Sequence, residues 1–211
     1  MMILTLRDQA IIRSLTRRVR IVTLGLIRAH WWSSASTHST ARRRMAQLVD
    51  AGWLGCRCVP SRPLLILSQP VFAWNPGAVA PNFDAISWAL QRRWSNAARR
   101  QNIFFATRQA TECFGGSARG SIKNLSQVTH DLHVSLLYFN LLRHEPELAA
   151  CWVGEDELAH ERRHAKLPDA ILRDSHGHVL RVIEFGGAYS ARRVRAFHQD
   201  CARRGHSYEI Y

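Results

Sequence analysis

Lysine is almost missing from this chain: 2 of 211 residues, Lys123 and Lys166. Any positive surface it presents is therefore an arginine surface. Long apolar runs are missing too. The longest, LAACWV at 148–153, has six residues, against the ~20 that a membrane-spanning helix needs, which excludes such a helix. The opening Met1–Leu6 lacks the layout of a signal peptide, so a cytosolic setting is expected. The five cysteines (Cys56, Cys58, Cys113, Cys151 and Cys201) are odd in number and scattered. Cys56 and Cys58 have one residue between them, but no second pair stands at zinc-site spacing. Reduced, mostly buried thiols are expected, without a disulfide framework. At 46% hydrophobic and 21% charged, the chain can build one large or two small cores and is not a disordered polyelectrolyte.

What is present is arginine, and it is unevenly spread. Residues 1–120 carry 17 Arg, no Lys and 4 acids, a net of +13, whereas residues 121–211 are neutral. A basic half suits a polyanionic partner. Arginine suits bidentate phosphate and guanine contacts, although a GC-rich coding genome produces the same bias.

Thr5 followed three residues later by Asp8 is a helix-start signal, and Ile11, Ile12, Leu15 and Val19 continue on one face. Thr23 opens a second short helix. After a serine-rich turn, a third helix runs through ARRRMAQLVDAGWL, with Ala41, Met45, Leu48 and Val49 inward. That phasing turns Ser36, Ser39, Thr40, Arg43 and Gln47 outward and leaves Arg42 and Arg44 on the flanks. Trp31 and Trp32 are read as core. Trp53–Val59 and Leu64–Leu67 read as two strands of a hairpin with Arg57 and Arg62 near its tip. Three helices and a basic hairpin are the layout of a winged helix-turn-helix, whose third helix would enter a major groove. The outward hydroxyls and amide would read bases, and the arginines would hold phosphates. Residues 68–82, broken by prolines, read as a linker, Phe83–Arg100 as a helix and Asn102–Thr107 as a short strand.

In the second half, HERRH at 160–164 with Glu184 beyond it has the spacing of a zinc protease helix. The surrounding charge and the nearby Pro168 argue against that use. The remaining histidines (His130, His176, His178, His198 and His206) are expected in exposed turns or at helix ends. LPDAIL at 167–172, a turn at Asp174–Gly177 and Val179–Phe185 read instead as a hairpin. It carries Asp169 and Glu184, two hard oxygen ligands that suit Mg²⁺ and a metal-activated water. A helix before it, a strand near Trp152, the hairpin, a helix at Ser190–Arg204 and a last strand at Tyr208–Tyr211 follow the order of a PD-(D/E)xK nuclease core.

On LTLRDQAIIRSL, ARRRMAQLVDAGWL, the run Glu155–Leu158, LPDAIL and VLRVIEFGGAYSARRVRAF, the chain resembles the replication-relaxation family of plasmids and mobile elements. The resemblance implies an α+β chain in three parts. Residues 1–69 would form a winged helix-turn-helix, 70–125 a linker with bracing helices, and 126–211 a degenerate restriction-endonuclease-like α/β domain. It places Asp169 and Glu184 on the metal-binding carboxylates and Glu155 on an acidic position ahead of them. Gly186 stands where the active motif has its lysine, whose charge would stabilise the phosphorane. Lys166, Arg195 or His198 are the candidates to replace it. The expected function is sequence-specific binding of double-stranded DNA in plasmid replication, transfer or transcription control. Partners would be duplex DNA and a homodimer or larger DNA-processing complex. Binding needs no cofactor. A Mg²⁺-dependent endonuclease and a protein-interaction module are the alternatives.

Overall fold

The computed structural model describes residues 2–32, 38–116, 127–161 and 167–211. Its first elements are α1 (Leu6–Arg17), β1 (Val22–Thr23), α2 (Leu24–Trp31), α3 (His38–Asp50), β2 (Leu54–Ser61), β3 (Phe72–Trp74), α4 (Phe83–Arg92), β4 (Arg99–Ala106) and α5 (Arg108–Phe114). Then come α6 (Val128–His144), α7 (Pro146–Ala150), β5 (Trp152–Gly154), α8 (Glu155–Glu161), β6 (Ala170–Arg173), β7 (Val179–Glu184), α9 (Ala191–Arg203) and β8 (Tyr208–Ile210). The fold is mixed α+β, with two sheets among the described residues. None of the described helices is long and apolar enough to cross a membrane.

The chain forms two compact units, each discontinuous in sequence: residues 1–64 with 97–144, and 65–96 with 145–211. The expected boundaries near 69 and 126 are not those of the units. The whole charge excess falls in the first, with 17 basic and 4 acidic residues, against 12 and 12 in the second.

In the first unit, α1 begins at the expected capping box. Thr5 Oγ1 accepts the Asp8 N–H, and Asp8 Oδ2 accepts the Thr5 N–H at 2.7 Å. Such a cap is worth about 1 kcal/mol. Ile11, Ile12 and Leu15 are buried beneath it, and Thr23 caps α2. Trp32 is buried and Trp31 half-buried. The sheet runs β1-β4-β2, antiparallel throughout.

Here the expected hairpin fails. Leu64–Leu67 forms no strand; β2 pairs instead with β4 over eight registered positions, from Leu54 with Ala106 to Ser61 with Arg99. Pro60 is tolerated because β2 is an edge strand, where a missing N–H need face no partner. The same pairing corrects the expected helix at Phe83–Arg100: α4 stops at Arg92 and Arg99 already belongs to β4. A Cβ at Gly55 would lie 2.3 Å from the Phe105 ring, so the ring can lie across β2 here because this position has no side chain.

The second unit is built on a five-stranded sheet of order β3-β8-β7-β6-β5. Strands β5, β6 and β7 form an antiparallel meander. Helix α9 then crosses over, so β8 returns parallel to β7, and β3, inside the expected linker, pairs with β8 at the edge. Helix α4 packs beside α9, and Ile86, Leu90, Val194, Phe197, Tyr208 and Ile210 share one core.

Candidate functional site

Two groups of predicted residues can be followed to their places. On α3, Ala41, Met45 and Leu48 are fully buried, which turns Ser39, Thr40, Arg42, Arg43 and Gln47 to solvent. Ser36 lies outside the described residues. Arg44 does not fill the role expected of it. Its Nε donates to Asp8 Oδ1 at 3.0 Å and its Nη2 to Asp8 Oδ2 at 2.5 Å and to the Ile3 carbonyl at 3.0 Å. Its Nη1 also holds Gln47 Oε1 at 3.0 Å. Arg44 is therefore a strut between α1 and α3, and Gln47 is drawn toward it. Burial opposes the Asp8 charge, but the hydrogen bonds from Arg44 and Thr5 outweigh it and hold this carboxyl below its usual range. The signal lay in the composition: Asp8 and Asp50 are the two acids among the first 64 residues, which hold 11 arginines.

Arg57 is exposed on β2, and Arg62 is exposed just past it, its N–H donating to Thr129 Oγ1 at 3.0 Å. The register adds two residues that the sequence placed on a helix. Arg99 stands opposite Ser61 and Arg100 opposite Pro60, both exposed. The open end of the β2–β4 ribbon thus carries arginines from segments about forty residues apart. Cys56 and Cys58 are exposed on the same strand, as is Cys113 on α5, whereas Cys201 is buried. The expectation of mostly buried thiols is thus wrong: edge strand β2 leaves its thiols uncovered.

The second group is the carboxylate pair. Asp169 stands just ahead of β6 and Glu184 ends β7, and antiparallel pairing brings them together. The Asp169 N–H donates to Glu184 Oε2 at 3.2 Å, and the Phe185 N–H donates to Asp169 Oδ2 at 2.7 Å. The Tyr189 hydroxyl donates to Glu184 Oε1 at 2.5 Å and accepts from Arg193 Nη2 at 2.8 Å. Glu184 is 2% exposed and Tyr189 is 6% exposed. Burial, then the neighbouring Glu184 and Asp169 charges, push the Tyr189 phenol far above its ordinary range. Its hydroxyl is held between the Glu184 carboxylate and the Arg193 guanidinium. Glu155 joins through its backbone, its N–H donating to the Asp169 carbonyl at 3.0 Å.

Gly186 stands where the resemblance would place the motif lysine. A Cβ there would lie 2.7 Å from Leu90 Cδ1 and 2.9 Å from Ile210 Cγ2, so core side chains fill the space that a lysine stem would need. Around this turn, Trp94 Nε1 donates to the Gly187 carbonyl at 2.9 Å, and Arg93 Nη2 donates to the Tyr211 carbonyl at 2.8 Å. Ser87 Oγ donates to the Tyr189 carbonyl at 2.8 Å. Burial brings the Arg93 guanidinium down to about 10, so it stays charged at neutral pH.

The expected substitutes for the lysine lie elsewhere. Arg195 sits over the Phe83 ring at 4.9 Å. His198, expected to be exposed, is buried, with Nδ1 3.1 Å from the Tyr208 hydroxyl and its ring edge-on to Trp74. Lys166 and His164 lie outside the described residues. In the HERRH string, Glu161 is bound by both terminal nitrogens of Arg173, at 2.8 and 2.6 Å. His176 and His178 sit in the exposed turn, their N–H groups donating to Asp174. Among the described residues, no three His, Cys, Asp or Glu side chains are grouped to hold a metal.

No protein-family model, curated protein or solved structure matches this chain. The class supported is a two-unit α+β protein with one strongly basic unit.

Proposed function

We propose that the protein binds double-stranded DNA through its first unit, with α3 in the major groove and the β2–β4 ribbon along the backbone. One observation carries the reading: the entire net charge of +13 lies in the unit that also has the order α1-β1-α2-α3-β2-β4 and the sheet order β1-β4-β2. Helix, strand, two helices and a two-stranded antiparallel ribbon support a winged helix-turn-helix reading, with β2 and β4 as the wing. Here the wing's two strands are separated in sequence by residues of the second unit. Ser39, Thr40, Arg42 and Arg43 on α3, and Arg57, Arg62, Arg99 and Arg100 on the ribbon, are the contacts assigned. The plasmid or mobile-element setting rests on the sequence resemblance alone.

For the second unit, the meander, crossover helix and parallel return strand support a PD-(D/E)xK-like fold with a retired site. Both carboxylates are engaged by backbone N–H groups and Tyr189, and the lysine position is filled. The nuclease reading keeps one observation in its favour, the adjacency of Asp169 and Glu184. Each exchangeable phosphate contact steepens the salt dependence of duplex binding by about one unit of log slope. Arg42→Ala and Arg43→Ala should therefore each weaken binding and flatten that slope. Identical isotherms for wild type and both variants at all salt concentrations would remove α3 from the interface.

A further inference from the structure

The second unit is neutral overall, yet its paired helices are not. Helices α4 and α9 carry five arginines against Asp84 and Asp200, and Asp200 is held by Arg203 and Arg204. The two helices run side by side in opposite directions. Phe83 meets Arg195 and His198, while Ser87 and Gln91, further along α4, reach the Tyr189 carbonyl ahead of α9. Ile86 and Leu90 face the core. One step outward from Ser87 and Gln91 on the helical wheel stand Trp88 and Arg92, with Arg192 and Arg195 exposed on the neighbouring helix.

Trp88 is the anomaly. At 61% exposure it is the one aromatic side chain in the exposed class among the described residues. The Arg92 guanidinium lies 4.2 Å from the ring centroid, a cation–π contact that favours one placement of the indole. Since that contact covers one face, an exposure this large leaves the other open. A flat apolar ring held by one arginine, on a helix whose packed neighbour exposes Arg192 and Arg195, has the components of a base-stacking platform with phosphate partners. Duplex bases already stack on one another, so an aromatic face of this kind selects unpaired ones.

We infer that the α4–α9 face of the second unit binds single-stranded DNA, an unpaired base stacking on Trp88 and Arg92, Arg192 and Arg195 taking the phosphates. The choice of DNA over RNA rests on the duplex-DNA reading of the first unit; the stacking surface itself does not.

The test is fluorescence anisotropy of the full chain with labelled oligo(dT), oligo(U) and a duplex. Loss of one stacked base weakens binding about 5- to 150-fold. Trp88→Ala should show a loss in that range for oligo(dT) and less than about a twofold change for duplex, while Trp88→Tyr should keep most of the affinity. Arg192→Ala should lower the oligo(dT) salt slope by about one. Oligo(dT) affinity unchanged in Trp88→Ala would overturn the proposal. So would equal loss of oligo(dT) and duplex binding in Arg42→Ala with no effect of Trp88→Ala, which would assign both ligands to the first unit. Preference for oligo(U) would overturn the choice of DNA, and competition by a short poly-glutamate peptide as strong as by oligo(dT) would replace stacking with an acidic protein partner. Failure of duplex binding alone would refute the first unit's role and leave this surface standing.

Discussion

Gly186→Lys, which supplies the lysine that the resemblance implies, should damage the protein rather than activate it. In Gly186→Lys, the new Cβ would lie 2.7 and 2.9 Å from the two Leu90 methyl carbons and 2.9 Å from Ile210 Cγ2. Both neighbours are fully buried, so neither can swing into solvent. Forcing extra atoms into such a core costs about 1–3 kcal/mol. Hydrogen exchange in peptides spanning β7, β8 and α4 reads this locally, because it reports the opening energy of each segment. Leu90→Ala alone should cost about 2–5 kcal/mol through its cavity. The double variant should cost less than the sum by about 1 kcal/mol or more, since the lysine stem would enter the space that Leu90 leaves. If Gly186→Lys left protection unchanged within about 0.5 kcal/mol, Leu90 would not be filling the lysine site. If it gained Mg²⁺-dependent cleavage, the retired-site reading would be wrong.

Three further outcomes are expected. Asp8→Asn, which removes the buried partner of Arg44, should destabilise the first unit by about 2–4 kcal/mol, less than a fully buried pair because Arg44 keeps some solvent exposure. The Asp8 carboxyl is depressed in the fold, so its contribution is complete above the ordinary carboxyl value of 3.8 and is lost as pH falls through the lower folded value. The stability gap between wild type and Asp8→Asn in urea should accordingly be constant near neutrality and close in acid; a gap unchanged at pH 2 would refute the pairing. All four tyrosines (Tyr138, Tyr189, Tyr208 and Tyr211) are raised above 10.0, burial being the largest cause in each. A raised phenol contributes its stability in full below the unfolded value and loses it as pH climbs from there through the raised folded value. Tyrosinate absorbance should therefore appear together with loss of circular dichroism rather than before it. Finally, Tyr189→Phe removes the hydroxyl that Glu184 accepts and should cost about 1–3 kcal/mol, read as faster exchange in β7.

Local signals in the sequence carried furthest. The Thr5–Asp8 cap, the burial stripe of α3, and the run from β5 through the hairpin to α9 and β8 depend on neighbours within a few residues or on an ordered series of short elements. The partner of β2 was invisible because it lies some forty residues away. Its arginines, Arg99 and Arg100, extend a helical pattern that long-range pairing overrides. Strand β3 has three residues, too few for periodicity to register. Arg44 looked like a surface cation because its partner is 36 residues upstream. Of the carboxylate site, the adjacency of Asp169 and Glu184 was legible. Tyr189, Arg193 and Leu90 were not, since what they do depends on packing across strand ends and between helices.

The most direct test of the account is one incubation of the full chain with duplex DNA, with and without Mg²⁺ or Mn²⁺, read for both mobility shift and strand cleavage. A salt-sensitive shift that weakens in Arg42→Ala and Arg43→Ala is expected, with the DNA intact in every lane. Metal-dependent cutting abolished by Asp169→Ala and Glu184→Ala would contradict the retired site, and no shift at low salt would contradict the duplex-binding role itself.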